Sequence, residues 1–117
     1  MRNNYENLAV YTRSLEVSVK IMRVIDDIRP YRLAEQMISS SISIPSNIAE
    51  GSERGSAKDF IRFLEYASGS ASELITQLTI MEQAQKKVDL DLPALINELK
   101  EINNMIRGLI NTQSRRI

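Results

Sequence analysis

Hydrophobic residues recur every three or four positions along most of the chain, and this spacing predicts four helices. We place them at about residues 4–28, 31–50, 56–87 and 91–112. The last helix carries the most regular repeat, with spacings of three and four: Leu92, Leu95, Leu99, Ile102, Ile106 and Leu109. Because the predicted loops are short, we expect a single all-α domain over residues 1–117, folded as an antiparallel up-down four-helix bundle.

The first predicted helix is hydrophobic on two sides. One stripe consists of Leu8, Tyr11, Leu15, Val19, Met22 and Ile25. The other consists of Val10, Val17, Ile21, Val24 and Ile28. Together they cover roughly 220° of the helix circumference, whereas a surface helix needs little more than about 100°. We assign the first stripe to the core and the second to an interface between copies of the chain, so we expect self-association.

Proline and glycine punctuate the middle of the chain. Pro45 lies inside the second predicted helix, where it removes a backbone hydrogen bond and is expected to kink the helix. Gly51 is predicted to end that helix as a left-handed cap, and Ser56 to begin the next as its N-cap; Asp91 is a second N-cap candidate, at the start of the fourth helix. Gly69 lies in a run of small residues inside the third helix, where we expect another helix to approach closely.

Composition excludes most catalytic chemistry. The chain has no histidine and no cysteine, so catalytic triads, thiol catalysis and the usual zinc sites are excluded. The candidate carboxylates fall on predicted polar faces, and we interpret them as surface acids rather than metal ligands: Glu35, Glu50, Glu73 and Glu98. We therefore expect no enzyme activity, no cofactor and no metal.

Charge and hydropathy give little indication of a partner. The chain has 15 lysines and arginines and 15 aspartates and glutamates, so its net charge is zero. The charge of the whole chain therefore gives no attraction to nucleic acid. The N-terminal residues lack the apolar segment of a signal peptide. No apolar run approaches the roughly 18 residues of a membrane span, and we expect a cytoplasmic protein without membrane contact.

One local cluster of cations is a candidate binding site. Arg54, Lys58 and Arg62 are spaced by four residues beside the start of the third helix, whose free backbone amides suit a phosphate group. We consider them candidate contacts for phosphate or RNA. In the alternative interpretation, the interleaved acids Glu53, Asp59 and Glu65 balance these charges, and the cluster only solvates a helix end.

Three segments resemble a known family. They are Ser41–Gly51, which reads Ser-Ile-Ser-Ile-Pro-Ser-Asn-Ile-Ala-Glu-Gly; Lys58–Leu64; and Ala67–Ser70 with the following Glu73-Leu74. They resemble the bacterial four-helix-bundle family encoded by intervening sequences of 23S ribosomal RNA genes, which is related to the accessory variability protein of diversity-generating retroelements. The resemblance implies a barrel-like homopentamer with no known catalytic activity. It also implies association with structured RNA, or with a reverse transcriptase and its RNA.

The signature residues of this resemblance are interpreted first as structural. They are Pro45, Asn47, Glu50, Gly51, Gly69, Ser70 and Glu73. Pro45 leaves one carbonyl without its helical partner, and polar side chains one turn away could fix the resulting kink and the following turn. Two functions remain open: an accessory protein that binds RNA or a ribonucleoprotein, and a protein-interaction scaffold without nucleic-acid contact.

Overall fold

Four long helices form the computed structural model, which describes residues 4–117. Their bounds are Ala9–Val24 (α1), Tyr31–Glu53 (α2), Ala57–Gln83 (α3) and Leu92–Ser114 (α4). No strand occurs in the described residues, so the predicted all-α class is confirmed. The first three residues of the predicted domain lie outside the described part of the chain.

Helix ends follow local chemistry more closely than hydrophobic spacing. The single helix predicted over residues 4–28 is instead α1 with short 3-10 turns at Tyr5–Asn7 and Ile25–Asp27. The two predicted N-caps are confirmed, because the Ser56 hydroxyl accepts the Asp59 amide at 3.1 Å and Asp91 Oδ1 accepts the Ala94 amide at 3.1 Å. Side-chain acceptors therefore set where α3 and α4 begin.

The predicted assignment of the two hydrophobic stripes on α1 is wrong. Four residues of the proposed interface are buried in the subunit's own core, and Val24 is partly buried; the buried four are Val10, Val17, Ile21 and Ile28. The exposed apolar stripe of α1 is only part of the stripe predicted to face the core: Leu15, Val19 and Met22 are 42%, 40% and 49% exposed, whereas Leu8, Tyr11 and Ile25 are partly buried. Buried residues cannot contact another copy while the subunit keeps this fold.

Two serines explain this reversal. Ser14 and Ser18 lie on the same face of α1 as Val17 and Ile21, and all four are buried. A serine is small enough to let a neighbouring backbone approach, and its hydroxyl can bond a carbonyl there. A count of apolar positions disregards both serines, although they help to decide which face of α1 packs against α2.

Pro45 lies inside α2, and the helix continues through it to Glu53. Because proline has no N–H, the carbonyl of Ser41 lacks its usual partner in the helix. The Ser18 hydroxyl donates to that carbonyl at 2.7 Å. A hydroxyl of α1 therefore takes the place of the missing backbone donor of α2, and both Ser18 and Ser41 are buried.

Further polar contacts join α2 to α3. The Ser70 hydroxyl donates to the Ser43 hydroxyl at 2.7 Å, and the Ser40 hydroxyl donates to Gln77 Oε1 at 2.7 Å. Ser40 precedes Ser43 whereas Gln77 follows Ser70, so the contacts run in opposite chain order. In the part of the chain that the structure describes, every buried side-chain nitrogen or oxygen has a partner. A shift of α2 along α3 would separate both pairs of side chains, so the two contacts fix how the helices are aligned.

An ion pair joins α1 to α4. Arg13 binds Glu98 with two hydrogen bonds, from Nε at 2.8 Å and from Nη2 at 2.5 Å, and Nη2 also reaches Glu101 at 3.1 Å. The bonds from Arg13 lower the pKa of Glu98. Glu98, predicted to be an ordinary surface acid, thus connects two helices. Lowering the pH until the Glu98 carboxylate is protonated removes the ion pair with Arg13.

A double-mutant cycle tests the replacement of the proline's missing bond. We expect Ser18→Ala to lower the free energy of unfolding by about 1–3 kcal/mol, because the buried Ser41 carbonyl loses its donor. In a Pro45→Ala background the new backbone amide at position 45 can bond that carbonyl, so Ser18→Ala should have a much smaller effect. Urea denaturation of the four proteins measures the difference.

Ser14→Ala is the matched control for this cycle. Ser14 is also buried, but its hydroxyl donates to the Tyr11 carbonyl within α1, at 3.1 Å. Its removal should have the same small effect with or without Pro45. An equal loss from Ser18→Ala in both backgrounds would contradict the account of Pro45 given above.

Candidate nucleic-acid interface at the junction of α2 and α3

The tight connection between α2 and α3 brings the candidate cations together. Arg54 follows the last residue of α2, and Gly55 turns the chain with a φ of 89°, a value that L side chains rarely adopt. Ser56 then caps α3, which carries Lys58 and Arg62 one turn apart. Residues on both sides of the connection therefore share one end of the bundle.

An aromatic ring lies at the centre of this cluster. The guanidinium carbons of Arg54 and Arg62 are 5.0 Å and 4.7 Å from the centroid of the Phe63 ring, within the range of cation–π attraction. The Tyr66 ring packs edge-on against Phe63, with centroids 5.7 Å apart and planes at 90°. The prediction from charge spacing identified the arginines but missed both aromatic residues, although both lie within four residues after Arg62 along α3.

Acids beside the cluster neutralise part of its charge. Glu50 pairs with Arg54 at 3.1 Å, and Asp59 pairs with Arg62 at 3.2 Å. Interactions with the Tyr66 hydroxyl and the Asp59 carboxylate raise the pKa of Arg62 above its ordinary value. Lys58 is exposed and makes no ion pair within residues 4–117.

The amides at the start of α3 are partly occupied by the protein itself. Ser56 accepts the Asp59 amide, and the Asp59 side chain stands in the first turn, where a carboxylate is favourable. This arrangement agrees with the interpretation in which the charges solvate a helix end. A phosphate group would therefore meet mainly the side chains of Arg54, Lys58 and Arg62 rather than a ring of free amides.

The signature residues of the second and third helices divide into two groups. Asn47 Nδ2 donates to the Ser43 carbonyl at 2.8 Å and to the Ser43 hydroxyl at 2.9 Å, and Ser70 also bonds that hydroxyl. Glu50 instead pairs with Arg54, and Glu73 is exposed. Asn47 and Ser70 thus belong to the contact between α2 and α3, whereas Glu50 and Glu73 lie on the surface.

Neither signature glycine has the role that was predicted for it. Gly51 is not a left-handed cap but lies inside α2, where an added Cβ would stand 2.7 Å from Phe63 Cβ and 3.3 Å from the Phe60 carbonyl oxygen. Gly69, where a close helix was expected, is exposed, and a Cβ there would meet nothing within 4 Å. The close approach of α2 and α3 is therefore at Gly51, and the left-handed turn is at Gly55.

An apolar groove lies between α1 and α2. It holds ≈ 240 Å³ and is lined by Tyr11, Leu15, Ser18, Ile42, Pro45, Ser46 and Ala49. It adjoins the exposed stripe of α1. Within the described residues, no three acidic side chains are grouped in a way that could hold a metal ion, and no helix is long and apolar enough to cross a membrane.

These observations define an all-α four-helix protein whose helices are joined by serine and asparagine contacts, with a mixed basic and aromatic surface at one end. Residues 6–108 match the family model described as 23S rRNA-intervening sequence protein. The chain belongs to this family, as the sequence resemblance predicted.

A solved structure from the same kind of family shares the fold over most of its length. It is described as a protein with unknown function from the S23 ribosomal protein family, from Bacteroides thetaiotaomicron. The two chains are 25% identical and superpose with a TM-score of 0.77, covering 87% of this chain and 95% of the other. No curated protein matches the chain.

The close approach at Gly51 can be tested directly. We expect Gly51→Ala to destabilise the protein by about 1–3 kcal/mol, because the added methyl group overlaps Phe63 Cβ, which moves only with the backbone of α3. Gly108→Ala is the matched control, since Gly108 is helical, exposed and free of neighbours within 4 Å. That change should stabilise the protein by up to about 1 kcal/mol. Urea denaturation that shows the same sign for both variants would contradict this account.

Proposed function

We propose that this protein is a non-enzymatic accessory protein that binds RNA or a ribonucleoprotein through Arg54, Lys58 and Arg62. The observation that carries the proposal is the convergence of Arg54 and Arg62 on the Phe63 ring. This arrangement holds two planar cations at the surface, where they suit phosphate oxygens. Membership of a family named for ribosomal RNA genes supports the same function.

Self-association is the second part of the proposal. We propose that the subunit is an antiparallel up-down bundle and that several copies form a ring, a pentamer by family resemblance. The exposed side chains of Leu15, Val19 and Met22 support an interface there, with Ile42 of α2 exposed beside them. Scattered exposed apolar residues are ordinary, but Leu15 and Ile42 line the same apolar groove.

Assembly would overcome the weak charge of a single subunit. The net charge is zero and two of the three cations are paired with acids, so one site alone should bind RNA weakly. Copies arranged around a ring would bind one RNA at several points, and the linked sites would raise the overall affinity. Structured RNA is the proposed ligand, either alone or held by a reverse transcriptase.

A protein-interaction scaffold without nucleic-acid contact is the second candidate. The groove between α1 and α2 favours it, because its lining is mainly apolar, as in a groove that receives a helix or loop of another protein. The binding of a partner protein by such a scaffold would not depend on Arg54, Lys58 and Arg62. The RNA measurement below therefore separates the two candidates.

We expect binding to a structured RNA to weaken steeply with salt and to depend on the three cations. Converting Arg54, Lys58 and Arg62 together to alanine should lower the affinity and reduce the slope of log affinity against log salt by about 2–3 per engaged subunit, since each phosphate contact contributes about 0.7–0.9. Fluorescence anisotropy across a salt series measures both quantities.

The matched control removes three other cations. Arg29, Lys86 and Lys87 lie together near the end of α3 and the start of α2, away from the candidate interface. Their triple alanine variant has the same net charge as the test variant, and it should bind RNA nearly as the unaltered protein does. Absence of binding at low salt, or equal losses in the two variants, would contradict the proposed RNA surface.

The assembly interface is tested by paired glutamate substitutions on α1. We expect Leu15→Glu with Val19→Glu to yield a folded protein of lower mass, because both side chains are exposed in the subunit. Val17→Glu should unfold it instead, since Val17 is only 2% exposed and a buried unpaired charge is not tolerated. Sedimentation and circular dichroism measure mass and helix content. A compact single chain from the unaltered protein would contradict self-association.

A further inference from the structure

The outer face of α3 presents an uncovered aromatic ring. Tyr66 is 51% exposed, one turn beyond Arg62 and two turns beyond Lys58. Residues three or four positions apart in a helix are neighbours on its surface, so these three residues form one stripe. The stripe spans roughly 12 Å, at about 1.5 Å per residue.

Gly69 leaves the next position of this stripe empty. Side chains in a helix lean toward its N-terminus, so a side chain at position 69 would cover the turn that carries Tyr66. An added Cβ at Gly69 would meet nothing within 4 Å, so no contact inside the subunit requires glycine there. Glycine is also the weakest helix former after proline. Its presence in mid-helix is explained if something outside the subunit needs access to the Tyr66 ring.

The Tyr66 ring is also held in place. Its edge-on contact with Phe63 fixes one side, and Phe63 is in turn held by the guanidinium groups of Arg54 and Arg62. A ring that is already ordered loses little conformational freedom when a flat partner stacks on it. The surface therefore combines an ordered, accessible ring with cations along the same helix face.

We propose that Tyr66 stacks with an unpaired base, and that the RNA bound at this surface is single-stranded where it crosses α3. This inference rests on the proposed RNA function and names the form of RNA that the surface recognises. Bases in a duplex are stacked on each other and cannot offer their faces to Tyr66, whereas a single strand can. Arg62 and Lys58 would contact the phosphates of the same strand.

The test compares a short oligouridylate with an A·U duplex of the same length, by fluorescence anisotropy on the full-length protein. We expect Tyr66→Ala to weaken oligouridylate binding about tenfold, while duplex binding changes less than about twofold. Tyr66→Trp should bind as well as the unaltered protein or better, because it keeps an aromatic face. This rescue separates stacking from a merely structural role of the tyrosine.

Substitution of Gly69 gives an independent measurement. We expect Gly69→Gln to raise the midpoint of thermal unfolding, since glutamine is the better helix former, and to weaken oligouridylate binding several-fold by covering the ring. Gly108→Gln on α4 is the matched control, because Gly108 is exposed and equally free of neighbours. It should be stabilised in the same way and should bind oligouridylate normally.

The outcomes separate this inference from the proposed function. The inference is overturned if Tyr66→Ala leaves oligouridylate binding unchanged while the alanine variant of Arg54, Lys58 and Arg62 loses RNA binding; the proposed function then stands. Equal losses for the single strand and the duplex would also overturn it. If neither RNA binds the unaltered protein at low salt, the proposed function fails and the inference fails with it.

Discussion

The buried carbonyl of Ser41 is the constraint on which the arrangement of the helices depends. Pro45 removes its donor within α2, and the Ser18 hydroxyl of α1 supplies another at 2.7 Å. An unsatisfied carbonyl in a dry interior would be costly, so α1 must present Ser18 and the residues on its face to α2. This requirement places Val17 and Ile21 in the core, and it leaves Leu15, Val19 and Met22 on the surface.

The same reasoning extends along α2 to its end. The contacts of Ser40 and Ser43 leave α2 and α3 little freedom to slide past each other, because each hydroxyl has one polar partner on α3. Further on, Gly51 lets α3 approach so closely that a methyl group would not fit. The chain then turns at Gly55, and Arg54 is brought beside Phe63 of the next helix. The candidate interface is thus a consequence of how α2 and α3 pack.

The interface combines modest charge with accessible aromatic surface. Ion pairs with Glu50 and Asp59 reduce the attraction that Arg54 and Arg62 exert on a phosphate, and the whole chain carries no net charge. Affinity would then have to come from stacking and from several linked sites rather than from one strongly basic patch. The exposed apolar stripe of α1 offers a physical reason for several copies to assemble.

The sequence by itself determined the number of helices, the capping residues Ser56 and Asp91, the family and the cations of the candidate site. These follow from features that are local in the chain: hydrophobic spacing, side chains that cap nearby amides, and a distinctive motif. Only the tertiary structure decided which stripe of α1 is buried, which glycine permits a close approach, and that Phe63 and Tyr66 join the arginines. Those outcomes depend on partners from other helices, such as the hydroxyl of Ser18 at the carbonyl of Ser41, and hydrophobic periodicity carries no information about such a pair.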